Sequence, residues 1–355
     1  GIADYVRRLA PVLSARVPLA QVPFREALAA AAPGGVLADC AAVLVHYERS
    51  LVPSPEFLPA LSARLKDRVY VVPHEVYREN PFAFPYTALS SAFPPLLWAK
   101  RLRYRWRHRD YVREEALQAA AYHAHRVLPA SREGEAILRA RARGPGLAER
   151  ILPPVPLARL DLVVPLPDGP ADRAAAATAG RRRIGIFGFL NPGLDYGSTF
   201  DLVAALTGVE LVLVGGDRPG SGRTLRAGLE ADISRRGLAG RVRITGYLAE
   251  ADLGTALSDC DLFLGPMRFK SSSASLLQLF GLRRPILVPD LPLTRYLRDE
   301  GAPLDLYAGP GELRRLAEDF LAGRRAGAPD RYRWDFPRVA EAYLAAMGAS
   351  ASLSS

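Results

Sequence analysis

Two cysteines in 355 residues, Cys40 and Cys260, stand too far apart for a disulfide framework or a thiolate metal site. A reducing cytoplasmic setting is the simplest reading of that scarcity. The five histidines include no HExxH-type pair, which argues against zinc. No stretch approaches the roughly 18 to 20 apolar residues that a membrane-crossing helix needs. Two familiar nucleotide signatures are also missing. GGDRPGSGRT, at the end of the apolar run VELVLVGG, lacks the Gly-four-residues-Gly-Lys-Ser/Thr spacing of a phosphate loop. GIFGF, with Gly185 and Gly188, lacks the third glycine of a dinucleotide fingerprint. Neither an ATPase nor a dehydrogenase is indicated, and neither a metal nor a bound cofactor is expected.

What is present is a basic, ordinary globular composition. Hydrophobic residues make up 49% and charged residues 24%, and the length suffices for two α/β domains with separate cores. The formal charge of +10 implies an anionic partner, although much of the excess is Arg in an Ala/Leu/Pro-rich background. Its densest patch runs over 93–113, where Lys100, Arg101, Arg103, Arg105, Arg107, Arg109 and Arg113 alternate with Trp98, Tyr104, Trp106 and Tyr111. Cations beside interfacial aromatics suit an anionic membrane surface, with residues 98–113 as the contact. A solvated helix with its aromatics in the core is the plain alternative. Single-stranded nucleic acid would use the same residue types, but no nucleic-acid partner is expected.

Along the chain, IADYVRRLAPVL after Gly1 has the spacing of an amphipathic helix, and a strand is expected upstream of it. Strands are then predicted around 42–46, 69–72 and 126–130, with helices at 56–66 and from Ser131. This alternation predicts a parallel, doubly wound sheet whose ligands bind beyond the carboxyl ends of the strands. His46, His74 and Glu75 fall at such ends. His74 is a candidate hydrogen-bonding group or base near an acceptor hydroxyl; the plain alternative is a strand-end histidine satisfied by backbone. Residues 153–180 are rich in proline and mark a domain boundary. From 183 the strand–helix rhythm starts again, so a second α/β unit follows.

The stretch 258–290 concentrates the chemistry. DLFLGP reads as a short buried strand, SLLQLFGL as a helix with Leu276, Leu279 and Phe280 on one face, and PILVPD as the next strand. Between them lies RFKSSSAS. Unpaired N–H groups at a helix N-terminus, with Arg268 and Lys270 beside them, would receive a phosphate or diphosphate. A serine-capped helix flanked by two solvated cations is the competing reading.

In order and spacing, IGIFGFLNPG, LVLVGG, RVRITGYLAEADLGTALSDCDLFLGP and the C-terminal RYRWDFPRVAEAYLAAM resemble the retaining GT-B glycosyltransferases of family 4. The resemblance implies two Rossmann-like doubly wound domains facing each other across a cleft. It divides the chain into an acceptor domain (1–160), a linker (161–181), a nucleotide-sugar domain (182–330) and a C-terminal helix packing back on the first domain (331–355). It implies a sugar nucleotide as donor and, as acceptor, a cell-envelope glycan or lipid-linked intermediate near Gly1, Asp4, His46 and His74. Donor phosphates would meet Gly188, Asn191 and Gly193 on one side. Ser271, Ser272, Ser273, Ala274 and Ser275, with Arg268 and Lys270, would stabilise the leaving group from the other. Gln278 would reach the ribose, and Tyr247 and Leu248 would border the base.

There are departures from the family pattern. The family's two glutamates, separated by seven intervening residues, are replaced by Lys270 and Gln278, and DYGSTFDLVAAL lacks the usual basic pair. A catalytically weak relative that binds nucleotide sugar or serves as a partner subunit, and a sugar-nucleotide epimerase, are the alternatives. A cytoplasmic location is expected, with peripheral attachment to the inner membrane face as its extension.

Overall fold

The computed structural model describes residues 2–47, 56–74, 76, 124–142, 146–160, 162, 182–191, 193–217, 223–268 and 273–348. The expectations placed on Gly1, Glu75, Lys270, Ser271, Ser272 and the basic–aromatic stretch 98–113 lie outside these residues.

The first part contains α1 (Ile2–Ser14), α2 (Phe24–Ala30), β1 (Val43–Tyr47), α3 (Phe57–Leu65), β2 (Val69–Pro73), β3 (Arg126–Val127) and α4 (Arg132–Arg141). Its three strands form a parallel sheet in the order β1-β2-β3, with His46 opposite Val72. Alternation along β2 feeds two cores: Val69 and Val71 join one cluster, Tyr70 and Val72 another. Burial on both faces is what crossover helices impose on a parallel sheet. β3 is shorter than predicted: Leu128 N–H still donates to the Val71 carbonyl at 2.8 Å, but Pro73 of β2 has no N–H to continue the ladder. Ser131 starts α4 by accepting a hydrogen bond from the Gly134 N–H at 3.1 Å.

The second part contains β4 (Arg182–Phe187), α5 (Tyr196–Ala205), β5 (Val209–Val214), α6 (Arg223–Arg235), β6 (Val242–Ile244), α7 (Glu250–Ser258) and β7 (Leu262–Leu264). It continues with α8 (Ala274–Leu279), a 3-10 turn (Phe280–Leu282), β8 (Ile286–Pro289), α9 (Pro292–Asp299), β9 (Asp305–Tyr307), α10 (Pro310–Leu321) and α11 (Phe336–Ala346). The sheet is parallel, ordered β6-β5-β4-β7-β8-β9. The order reverses between β4 and β7, which makes their carboxyl ends the ligand-binding address of a doubly wound sheet.

One core cluster is shared by both sheets. It joins Tyr5, Leu9 and Leu13 of α1 and Tyr70 of β2 to Phe263, Leu276, Leu279 and Phe280 of the second part, and to Val339, Ala340 and Tyr343 of α11. α11 therefore packs on α1, with Arg16 reaching Glu341 at 2.8 Å.

The proline-rich stretch is packed at its start. Leu157, Ala158 and Leu160 are buried, and Ala158 N–H donates to the Tyr5 hydroxyl at 3.1 Å. The Tyr332 hydroxyl donates to the Leu157 carbonyl at 2.7 Å, and Arg159 N–H to the Trp334 carbonyl at 2.8 Å. Apolar residues between the prolines pack, and the outgoing and returning chains clamp each other. Among the described residues no helix is long and apolar enough to cross a membrane.

Candidate functional site

Glycines shape the carboxyl rim of the second sheet. β4 ends in Gly188 at φ +124°, and β5 ends in Gly215 at φ +143°, both conformations that side chains oppose. A Cβ on Gly215 would overlap the Gly188 carbonyl oxygen, and one on Gly216 would stand 2.8 Å from the Tyr247 nitrogen. The ends of β4, β5 and β6 thus approach each other backbone to backbone. Gly215 N–H donates to Thr245 Oγ1 at 3.0 Å, which pins the third strand end. A Cβ on Gly188 would stand 3.2 Å from Ser275, so the first turn of α8 leans on the same rim. Two large apolar side chains remain exposed there, Phe189 at 48% and Tyr247 at 85%. Leu248 instead packs against the shared core.

Loop 188–195 is tied to the loop after β7. Leu194 bridges Met267, Arg268 N–H donates to the Gly193 carbonyl at 2.9 Å, and Asp195 N–H to the Pro266 carbonyl at 2.6 Å. Asn191 works within its own turn: Oδ1 accepts from Gly193 N–H at 2.7 Å, and its N–H donates to the Tyr196 hydroxyl at 3.1 Å. Asp195 caps α5, accepting from Ser198 N–H at 3.2 Å and from Ser198 Oγ at 2.8 Å. Arg268 Nη2 lies 3.2 Å from Asp195 Oδ1. Partial burial opposes charge on Asp195, but the Ser198 hydrogen bonds and the Arg268 guanidinium outweigh it and hold the carboxyl below its usual range.

Ser273 caps α8, its Oγ accepting from Leu276 N–H at 3.4 Å and standing 3.4 Å from Ser275 Oγ. Ser273 is thus the N-cap of this helix. Leu276, Leu277 and Leu279 are buried, while Ala274 and Gln278 are half-buried. Gly188, Asn191, Gly193 and Arg268 thus come from two adjoining loops at the switch point, and Ser273, Ala274 and Ser275 from the start of α8. Among the described residues no group of His, Cys, Asp and Glu could hold a metal ion.

The first sheet corrects the sequence reading. His46 and His74 do sit at strand ends, but they do not face an open crevice: they are 8% and 5% exposed. His46 Nδ1 and His74 Nε2 share a hydrogen bond at 3.0 Å. Tyr5 of α1 packs edge-on to His74 at 5.5 Å, Tyr343 of α11 packs on His46 at 5.8 Å, and Phe336 covers Tyr5 at 5.2 Å. The physical reason is the C-terminal helix, which closes this strand end with aromatic rings. Burial lowers the pKa of both imidazoles, to about 4 at His74 and well below 6.5 at His46, where the neighbouring His74 adds to the effect. Neutral and enclosed, His74 is hydrogen-bonded to His46 and packed by Tyr5 of α1. Asp4, the other acceptor-side expectation, is engaged on its own helix by Arg7 at 3.4 Å and Arg8 at 3.3 Å.

Sequence reasoning missed Asp195, Thr245 and Phe189. Asp195 was detectable as an N-cap, three residues ahead of Ser198 at the start of a helix. Gly215 and Gly216 were noticed only as a failed phosphate loop, although paired glycines at a strand end signal close backbone approach.

Known proteins agree with this geometry at the level of the fold. The chain superposes on Anabaena Alr3699/HepE, solved with UDP and glucose, at a TM-score of 0.57 and 15% identity, covering 86% of this chain and 77% of that one. It matches the trehalose-6-phosphate synthase OtsA at a TM-score of 0.59 and 13% identity, over 98% of this chain and 83% of that one. Sucrose-phosphate synthase from Thermosynechococcus elongatus gives 0.55 at 15% identity, over 94% and 77%. The fold is thus GT-B, with two Rossmann-like domains. A curated sequence relative, the GDP-mannose:glycolipid 4-beta-D-mannosyltransferase of Xanthomonas campestris pv. campestris, is 29% identical over 114 residues. That alignment takes in 30% of this chain and 33% of the relative, so the chain spans about a third of its length. No protein-family model matches the chain.

Proposed function

We propose that this protein is a glycosyltransferase that moves a sugar from a nucleoside-diphosphate donor to a hydroxyl acceptor with retention of configuration. One observation carries the reading: on a GT-B scaffold, the switch-point strand ends are stripped to glycine and stand against Ser275 and the Arg268 loop. Such a rim, without side chains of its own, would let a diphosphate come close to the loop backbone, and negative charge growing on the leaving oxygen requires preplaced donors. Arg268 supplies a cation there. Lys270 and the hydroxyls of Ser271 and Ser272 would add to it, Gln278 would take the ribose, and the exposed ring of Tyr247 would stack on the base. The leaving phosphate serves as its own base, so no protein carboxylate pair is needed.

The donors named with the similar proteins supply a panel, UDP-glucose and GDP-mannose among them. The test is release of UDP or GDP with a glycan or lipid-linked acceptor, followed by NMR of the product anomer. An inverted anomer would refute retention. No release across the panel, with binding intact, would favour a second reading: a weak GT-B relative that binds nucleotide sugar. That reading draws on Arg268 being already engaged by Asp195. Peripheral attachment of the cytoplasmic protein to an anionic membrane through 98–113 is part of the proposal. Pelleting with anionic liposomes should weaken with salt and on neutralising residues 100–109; salt-insensitive or absent pelleting would refute it.

A further inference from the structure

Arg268 is the one described cation among the proposed leaving-group residues, and it faces a carboxylate of its own chain at 3.2 Å. The pair does not hold the two loops together. Backbone hydrogen bonds already do that, from Asp195 N–H to the Pro266 carbonyl and from Arg268 N–H to the Gly193 carbonyl, beside the Leu194–Met267 bridge. Nor does α5 require the charge. Asp195 caps the helix through one oxygen on Ser198 N–H and the other on Ser198 Oγ, and asparagine or serine caps a helix comparably. The negative charge is therefore surplus to the local structure.

Its position gives it a use. The carboxylate occupies two positive features that a diphosphate at this rim would seek, the N-terminus of a ten-residue helix and the Arg268 guanidinium. Both side chains are about a third or more exposed, 34% for Asp195 and 40% for Arg268. An ion pair so exposed is weak and exchanges readily. Arg268 also carries five N–H donors in a planar fork that fits phosphate oxygens as well as carboxylate.

We propose that Asp195 is a built-in competitor for Arg268: it holds the guanidinium until the donor's diphosphate takes it over, and so weakens nucleotide binding. This deepens the donor-site reading and rests on it. The consequence is a site tuned toward release, because the carboxylate recaptures Arg268 as the nucleoside diphosphate leaves.

The test uses calorimetric titration of the full chain with pyrophosphate, UDP and GDP. Asp195→Asn and Asp195→Ser keep a neutral cap, and thermal melts and circular dichroism verify folding. Both variants should bind the tightest of the three probes roughly two- to fivefold more strongly, the range of an exposed ion pair. The same change made on Arg268→Gln should give less than half that gain. An equal gain in both backgrounds would mean general repulsion and would overturn the proposal. So would unchanged or weaker binding by the Asp195 variants when wild type binds. Absence of binding by every protein to every probe would overturn the donor-site reading along with it.

Discussion

At the carboxyl end of the first sheet the strands run into imidazoles and phenol rings; at the carboxyl end of the second they run into glycines. His46 and His74 are bonded to each other and sealed by Tyr5 and Tyr343. Gly188, Gly215 and Gly216 let neighbouring backbone and Ser275 close in, with Phe189 and Tyr247 exposed beside them. Both are strand ends of parallel sheets, where ligands gather in such folds. One is sealed by aromatic rings of the protein's own C-terminal helix, and the other is drawn together by glycines and carries exposed rings. A polar residue at a strand end therefore carries no role until the partner that covers it, or fails to, is known.

The sealed end should be the costlier one to disturb. Tyr343→Ala removes a fully buried ring that touches both His46 and the shared core, and should lower stability by about 3 to 5 kcal/mol in urea denaturation. A loss under 1 kcal/mol would mean that α11 is not the seal.

Acid should attack the same end next. The folded pKa of His74 is about 4, below its unfolded value of 6.5. Between those values the unfolded chain takes up a proton that the native state refuses, so stability is complete above about pH 6.5 and declines toward pH 4. His74 alone accounts for a loss on the order of 3 kcal/mol across that window. Denaturation midpoints from pH 7 to 4 should show it, and His46→Gln with His74→Gln should flatten the slope. An unchanged slope would place the acid sensitivity elsewhere.

At the open end, Gly215→Ala places a Cβ on the Gly188 carbonyl at a backbone angle that alanine disfavours. A cost of about 1 to 3 kcal/mol is expected, with nucleotide binding lost ahead of folding. Arg268→Ala should be the mildest for stability, within about 1 kcal/mol since the pair is exposed. Yet it should slow sugar transfer roughly a hundredfold, as loss of one preplaced donor does. Unchanged turnover would remove Arg268 from the leaving-group role.

Much of the scaffold was legible in the chain. Alternating apolar runs placed β1, β2, β4, β5, β7 and β8 within a residue or two, because strands buried on both faces must be apolar throughout. Ser131 announced α4 through its capping chemistry. Other features were not legible, for identifiable reasons. The proline-rich stretch starting at 153 read only as a domain boundary, since proline content hides the burial of Leu157 and Ala158 and their bonds to distant tyrosines. The helix after RFKSSSAS proved to be six residues followed by a 3-10 turn, a boundary that hydrophobic spacing does not resolve.

By itself the sequence determined the parallel α/β architecture, the glycines at the ends of β4 and β5, and the order of segments that resembles GT-B enzymes. These follow from periodicity and from backbone angles that only certain residues tolerate, which are local properties. Tertiary structure alone decided that His74 is a sealed neutral base, that Asn191 serves its own turn, and that Arg268 answers to Asp195. The last pair lies 73 residues apart in the chain and meets only because β4 and β7 are neighbours in the sheet. Burial and charge pairing are set by what arrives from elsewhere in the chain, and no local pattern encodes that arrival.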